Sequence, residues 1–371
     1  MIHLGSQSAN EPIQVVFSCC EGAYAIHETF PDLLELGISV RETKWKKISQ
    51  RELQFISHFR PVADGVPSEE YLLPTDGISN YSDCDFWMII SDRLSPLLAP
   101  VIPYGLIVYD YIQRYVPGLI AAGSDQSFLA TARNAKFVIT STPQTFGDAI
   151  QYAGIDPKKV LFVPMEFRPP CAPFLSHASL GKPYFLWVTN ASKHKNHERA
   201  LKALEQYYQE GGELDLLITG TNSHLFNDEN SENLYVQGIA KLMKKSPFFQ
   251  KKCHLLGEVS DAEYTQYLSN AQFLWHPTII DNGTFCVVEA AYLKVPSLAS
   301  DYPAMRYMNE RFKLNLQFSN PYQISDMAKK LKGMEKEAIL RRDMLPEKGY
   351  LDQFTVDRLA SHFWNTLKAW L

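Results

Sequence analysis

Between Asp281 and Asp301 the chain runs DNGTFCVVEAAYLKVPSLASD, the pattern of a loop, a short helix and a strand. Phe285, Val288 and Tyr292 recur at helical spacing, so that face should pack inward. Lys294-Val295-Pro296 ends the helix, and Ser297-Leu298-Ala299-Ser300 is the strand that follows. Asn282-Gly283-Thr284 makes a turn directly before the helix. Such a turn aims backbone N–H groups and the positive end of the helix dipole at whatever lies before it, which favours an anion. Asp281 opens the loop and Glu289 lies a turn or so inside the helix, where its carboxylate can accept hydrogen bonds from vicinal hydroxyls. A phosphate site beside a hydroxyl-binding carboxylate suits a nucleotide-sugar.

A second loop points the same way. Tyr184–Val188 (YFLWV) is a buried strand, and it is followed by TNASKHKN (Thr189–Asn196) and an amphipathic helix over His197–Tyr208. Two lysines and an asparagine therefore crowd a tight turn at a helix start. A β-phosphate there would meet Lys195, Lys193 and backbone N–H groups.

Together the two loops resemble the donor-binding signature of retaining GT-B glycosyltransferases of the family 4 kind (glycosyl transferases group 1). That family carries an acidic residue, seven residues and then Glu-Ala. It also has a basic residue followed by Lys-Asn or Lys-Gly, in a subset His-Lys-Asn-His as in this chain. Asp281 stands where the family usually has Glu, Asn282-Gly283-Thr284 replaces its Gly-Phe-Gly, and Thr189-Asn190 replaces a frequent glycine. The resemblance implies that Asp281 contacts the transferred sugar, that Glu289 contacts the ribose, and that Lys195, Lys193 and Asn196 bind the diphosphate. It adds Asn282, Gly283 and Thr284 to the donor site, and Gly257 and Val259 in a turn whose backbone lies against the nucleobase.

The rest of the chain fits two Rossmann-like domains. At 371 residues it exceeds one ordinary core, and its 46% hydrophobic content supports close packing. Gln14–Ser18 as a strand, a loop with Gly22 and a helix over His27–Leu36 open a doubly wound domain. Strands are expected at Ile38–Thr43, Phe86–Ile90, Pro103–Tyr109, Phe137–Thr140 and Val160–Pro164. Helices are expected over Gln50–Phe59, Asp125–Ala135 and Pro143–Tyr152, with an irregular loop over Pro61–Tyr81. Farther on, strands are expected at Leu214–Thr219, Cys253–Leu256 and Ala271–Trp275, with a helix over Asp261–Asn270 capped by Ser260. The expected boundaries are 1–168 for an acceptor-binding domain, 169–183 for a proline-rich linker, 184–350 for a nucleotide-sugar-binding domain and 351–371 for a helix returning across a cleft to the first domain. Trp364 and Trp370 suit that docking.

Candidates in the first domain are fewer. Asp110 ends the strand PYGLIVY and matches the Asp of the family's His-Asp, with Tyr109 in place of the His. There it would position the acceptor hydroxyl or help take its proton; a helix cap is the alternative reading. Arg114 follows, and Glu21, Tyr24 and His27 are further acceptor candidates beside a surface-residue reading.

A net charge of −5 leaves no basic footprint for nucleic acid. No apolar run reaches membrane-spanning length, and Met1–Glu11 is too polar for a signal-peptide core. The six cysteines include no CxxC pair, so reduced thiols are expected, with Cys286 as packing. The function implied is transfer of a sugar, with retention, from a nucleotide-diphosphate sugar to a glycan or lipid-linked glycan. The setting expected is bacterial surface polysaccharide or lipopolysaccharide synthesis in the cytoplasm, with peripheral attachment to the inner face of the plasma membrane through a basic surface patch, or assembly with other polysaccharide enzymes, as further expectations. No metal or cofactor is expected, because cationic side chains and a helix dipole can serve the diphosphate. Two rivals stay open: an epimerase or hydrolase of the same fold, and a non-catalytic nucleotide-sugar or glycan-binding module of a synthesis complex.

Overall fold

The computed structural model describes residues 1–11, 13–49, 51–52, 70–74, 83–90, 103–120, 123, 125–164, 166–170, 181–282 and 284–371. Most of the expected helix Gln50–Phe59, most of the loop Pro61–Tyr81, most of the linker and Gly283 lie outside the described residues; within that loop Glu70–Pro74 is a strand rather than irregular chain. The chain divides into two compact units. Unit 1 comprises Met1–Tyr111, Ile120–Met165 and Val356–Leu371, and unit 2 comprises Ile112–Leu119 and Glu166–Thr355.

Unit 1 opens with β1 (Val16–Cys20) paired in parallel with β2 (Ser39–Thr43). The single helix expected between them is two, Ile26–Thr29 and Pro31–Glu35. Pro31 is the cause: its ring disfavours helical backbone at Phe30, which sits at φ −125° and ψ 41°. An antiparallel pair, β3 (Trp45–Ser49) with β4 (Glu70–Pro74), follows. Next comes a parallel sheet in the order β5 (Trp87–Ile89), β6 (Tyr104–Ile107), β7 (Phe137–Thr140), β8 (Val160–Phe162). Helices Gln126–Asn134 and Pro143–Gln151 supply the crossovers, as parallel strands require. Leu106, Phe128, Leu129, Val138 and Ala149 are in its core.

Helix Val356–Lys368 belongs to this unit, and its Phe363, Trp364 and Leu367 pack with Phe137, Ile139 and Val163. Against it lies a helix not foreseen from the sequence, Ile2–Ser8. The crossing is so close that a methyl group on Gly5 would come within 2.3 Å of the Ala360 carbonyl oxygen. Trp364 Nε1 and Lys368 Nζ donate to the Glu11 carboxylate at 3.0 and 2.7 Å.

Unit 2 is built on a six-stranded parallel sheet. Its strands are β9 (Tyr184–Val188), β10 (Asp215–Thr219), β11 (Cys253–Gly257), β12 (Leu274–His276), β13 (Ser297–Ser300) and β14 (Gln317–Ser319). They lie in the order β11-β10-β9-β12-β13-β14. Starting from β9 the chain winds outward through β10 and β11, then returns to the other side of β9 with β12. That is the order of a dinucleotide-binding fold, and its ligand crevice opens at the carboxyl ends of the strands where the order reverses. The strands are apolar runs because both faces are covered. Phe185 stacks on Phe273 at 4.8 Å and Trp187 lies 5.1 Å from Trp275. Each such buried side chain contributes about 1.5–3 kcal/mol by leaving water. Among the described residues no helix is long and apolar enough to cross a membrane.

Candidate functional site

Two loops leave the sheet of unit 2 where its order reverses: residues 189–196 after β9 and 277–285 after β12. The first is shaped by backbone constraints. Thr189 N donates to Thr219 O, and a methyl on Gly220, at φ +128°, would lie 2.0 Å from the Thr189 carbonyl oxygen. Only glycine fits there. Thr189 Oγ1 lies 3.0 Å from His197 Nε2, and burial brings His197 down to about 3, so its ring is neutral at pH 7. Lys193–Lys195 form one 3-10 turn, and Asn196 adopts left-handed backbone at φ 64° to start helix His197–Gln209. Asparagine tolerates that conformation better than most residues.

The second loop is tied to the first. Ile279 N donates to His194 O at 2.8 Å, and the buried Asn196 amide donates to the carbonyls of Pro277 and Pro321 at 3.0 and 2.8 Å. Between the loops Lys195 Nζ donates to Asp281 Oδ2 at 2.5 Å, with side chains only 12% and 18% exposed. Thr284 Oγ1 donates to the same oxygen at 3.1 Å, and Asn282 N donates to Oδ1 at 2.9 Å. Burial works against the charge of Asp281, but Lys195 outweighs it and the carboxyl falls to about 2. Behind the pair, His276 Nε2 lies 3.3 Å from both Thr284 Oγ1 and Tyr302 Oη. Burial and then Lys195 bring His276 down to about 3, so it too is neutral at pH 7.

Glu289 occupies the middle of helix Cys286–Tyr292 and meets different surroundings. Its Oε2 accepts from Tyr264 Oη at 2.6 Å. Burial raises its pKa, the Tyr264 bond opposes that rise, and Asp261 adds to it. Cys286 is buried in the same helix, and burial pushes its thiol up.

The structure therefore brings together Lys195, Asn196, Asp281, Asn282 and Thr284, with Glu289 on the helix leading out of the same loop. Asn196 serves as a loop anchor, its amide spent on two carbonyls. Lys193 is exposed, and its Nζ donates to Gly118 O at 2.9 Å. Gly257, at φ +71°, closes β11 and accepts from Thr219 Oγ1 at 2.7 Å, and the half-buried Val259 follows it. Of the acceptor candidates, Asp110, Tyr24 and His27 lie in unit 1 and Arg114 in unit 2. Tyr24 is 52% exposed with its ring 5.4 Å from Phe30, His27 is in the short helix Ile26–Thr29, and Glu21 pairs with Lys44 at 3.0 Å. The chain's one Asp-x-Asp triplet, Asp83-Cys84-Asp85, meets Arg41: both Asp83 oxygens accept from its guanidinium at 2.8 Å.

Sequence reasoning missed Tyr264, His276 and Tyr302. A signal existed for His276, a polar residue ending a buried strand at the order reversal. Tyr264 reaches the site from another helix and Tyr302 from the extended residue before helix Pro303–Phe312, and neither leaves a local mark.

Residues 175–349 match the model of the glycosyl transferases group 1 family. No curated protein matches the chain by sequence. Among solved structures, Anabaena Alr3699/HepE in complex with UDP and glucose is similar at TM-score 0.67 and 13% identity, covering 99% of this chain and 94% of that one. Sucrose-phosphate synthase from Thermosynechococcus elongatus is similar at TM-score 0.66 and 12% identity, covering 99% and 91%. A glycosyltransferase from Rickettsia africae is similar at TM-score 0.63 and 12% identity, covering 100% and 93%. Residues 175–349 thus belong to the glycosyl transferases group 1 family, and the chain is a glycosyltransferase with the GT-B fold.

Proposed function

We propose that the protein moves a sugar from a nucleotide-diphosphate sugar to a glycan or lipid-linked glycan, with retention at the anomeric carbon, in the synthesis of a bacterial surface polysaccharide. The observation that carries this reading is the meeting of Lys195 and Asp281 at 2.5 Å, at the point where the strand order reverses, with Glu289 one helix turn beyond. A cation, a sugar-reaching acid and a hydroxyl-binding acid are what a nucleotide-sugar needs. HepE, of the same fold, is described in complex with UDP and with UDP-glucose, which makes a uridine donor the first to test.

In this reading unit 2 holds the donor and unit 1 the acceptor. Breaking the anomeric carbon–oxygen bond places negative charge on the leaving diphosphate. Lys195 stabilises that charge from a fixed, half-buried position, supported by Lys193. Asp281 reaches the hydroxyls of the transferred sugar, and Glu289 those of the ribose. Attack comes from the face the diphosphate leaves, whose oxygen assists removal of the acceptor proton. Asp110, Tyr24 and His27 are the unit 1 residues proposed for the acceptor, and Arg114, in unit 2, is a further candidate. The setting is the cytoplasmic side of the plasma membrane.

The test is turnover of UDP- and GDP-sugars with carbohydrate acceptors, the anomeric configuration of the product being read by NMR. A product with the donor's configuration supports the proposal, and an inverted product overturns retention. Nucleotide-sugar binding without transfer or hydrolysis overturns catalysis and leaves a binding module.

A further inference from the structure

Tyr264 belongs to neither loop of the site. It lies on helix Asp261–Asn270, whose start is held by a capping box: Ser260 Oγ accepts from Glu263 N at 3.3 Å, and the Glu263 carboxylate accepts from Ser260 N at 2.9 Å. From there its phenol crosses to the next helix and donates to Glu289 Oε2 at 2.6 Å. Among the described residues this is the one side-chain hydrogen bond that the Glu289 carboxylate receives. Burial, and then the charge of Glu289, raise the Tyr264 phenol well above its ordinary range, so it stays a donor at every working pH.

We infer that Tyr264 is a positioning residue for the nucleotide: it grips Glu289 by Oε2 and so presents Oε1 to the vicinal hydroxyls of the ribose. The geometry carries the argument. A glutamate side chain has three rotatable bonds, and for its one remaining oxygen to accept from two neighbouring hydroxyls the carboxylate needs one orientation. The short hydrogen bond from the half-buried Tyr264 ring fixes that orientation before ligand arrives. A hydrogen bond to a charged group is about twice as strong as a neutral one. The same bond favours the ionised carboxylate, against the burial that raises Glu289. The other titratable groups acting there are Asp261, from the helix of Tyr264, and Cys286, one turn earlier on the helix of Glu289.

The inference rests on Glu289 as the ribose-binding carboxylate, and the test separates the two. The full chain, as wild type, Tyr264→Phe and Glu289→Gln, is titrated calorimetrically with UDP, GDP and their 2′-deoxy forms between pH 5.5 and 8.5. Wild type is expected to prefer the ribonucleotide, and Glu289→Gln to lose that preference. Tyr264→Phe is expected to weaken ribonucleotide binding about tenfold at low pH, with recovery toward high pH, and to narrow the preference over the deoxy form. The sign follows from the chemistry. Without the phenol the Glu289 carboxyl moves further up, so its binding form is lost at a higher pH than in the wild type. An unaltered preference and pH profile in Tyr264→Phe, with the preference lost in Glu289→Gln, overturns the role of Tyr264 alone. Equal weakening of ribo and deoxy forms at every pH also overturns it, as the mark of a merely structural contact. A preference kept by Glu289→Gln, or no binding of either diphosphate to the wild type, overturns the reading of Glu289 and the inference with it.

Discussion

The two acids of the site are eight positions apart and meet opposite surroundings. Asp281 ends on Lys195, a threonine hydroxyl and a backbone N–H, and its carboxyl is held at about 2. Glu289 is half-buried on helix Cys286–Tyr292 with the Tyr264 phenol as its donor, and its carboxyl is raised. Both are largely withdrawn from water, so burial alone separates nothing. The difference is the partner: a full cation at one end, a neutral donor at the other. The first acid is a permanent anion and the second can be titrated. This division suits a site whose one end faces phosphate and sugar and whose other end faces neutral hydroxyls.

Lys195→Ala would break the comparison most severely. It removes the charge proposed to stabilise the leaving diphosphate and takes from Asp281 its cationic partner. Turnover is expected to fall about 10²–10³-fold, read as kcat/KM with a nucleotide-sugar. A mutant within threefold of the wild type would remove Lys195 from the chemistry. Glu289→Gln tests the other end. Nucleotide affinity should fall about tenfold while the melting temperature at pH 7 rises slightly. A carboxyl raised in the folded protein costs stability wherever it is ionised, so the neutral amide relieves that cost. The gain should vanish below the pKa of the unfolded chain, where the wild-type carboxyl is also neutral.

Acid unfolding sharpens the contrast from the side of Asp281. A carboxyl lowered in the folded state contributes stability above its unfolded pKa and loses it as pH falls through the folded value. For Asp281 that window runs from near 4 down to about 2, and the contribution is about 2 kcal/mol. Asp281→Asn should therefore flatten the pH dependence of denaturant unfolding over that range. A slope matching the wild type would show that Lys195 does not hold the carboxylate in solution. The smallest effect is expected from Ser260→Ala, which removes the cap from the helix that carries Tyr264. It should cost about 1 kcal/mol in denaturant unfolding. Turnover should then change only through Glu289, as a shift of its pH profile toward higher pH.

Unit 2 was largely legible from the sequence because parallel strands covered on both faces are apolar runs. YFLWV is β9 over the same residues, and SLAS is β13. Ser260 was legible as a cap because Glu263 follows at the right spacing. The loops carrying Lys195 and Asp281 were legible by composition, whereas their meeting follows from a strand order that only the structure gives. Unit 1 was harder to read. Its first helix breaks at Pro31, a residue counted inside a helical run. Helix Ile2–Ser8 has little apolar pattern of its own, buries Gly5 and Ser6, and draws its place from a partner at the other end of the chain. Tyr264 was illegible for a similar reason: a tyrosine in a helix says nothing about a carboxylate 25 residues away.

Helix Val356–Lys368 has a consequence for synthesis. The segments carrying Phe137, Ile139 and Val163 leave the ribosome early, whereas Phe363, Trp364 and Leu367, which cover them, follow the whole of unit 2. Domains made in one stretch can close as they emerge. This one cannot, so unit 1 is begun before most of unit 2 and completed after it. A nascent chain halted before Val356 should offer a sticky, protease-sensitive unit 1 to the chaperones that meet it.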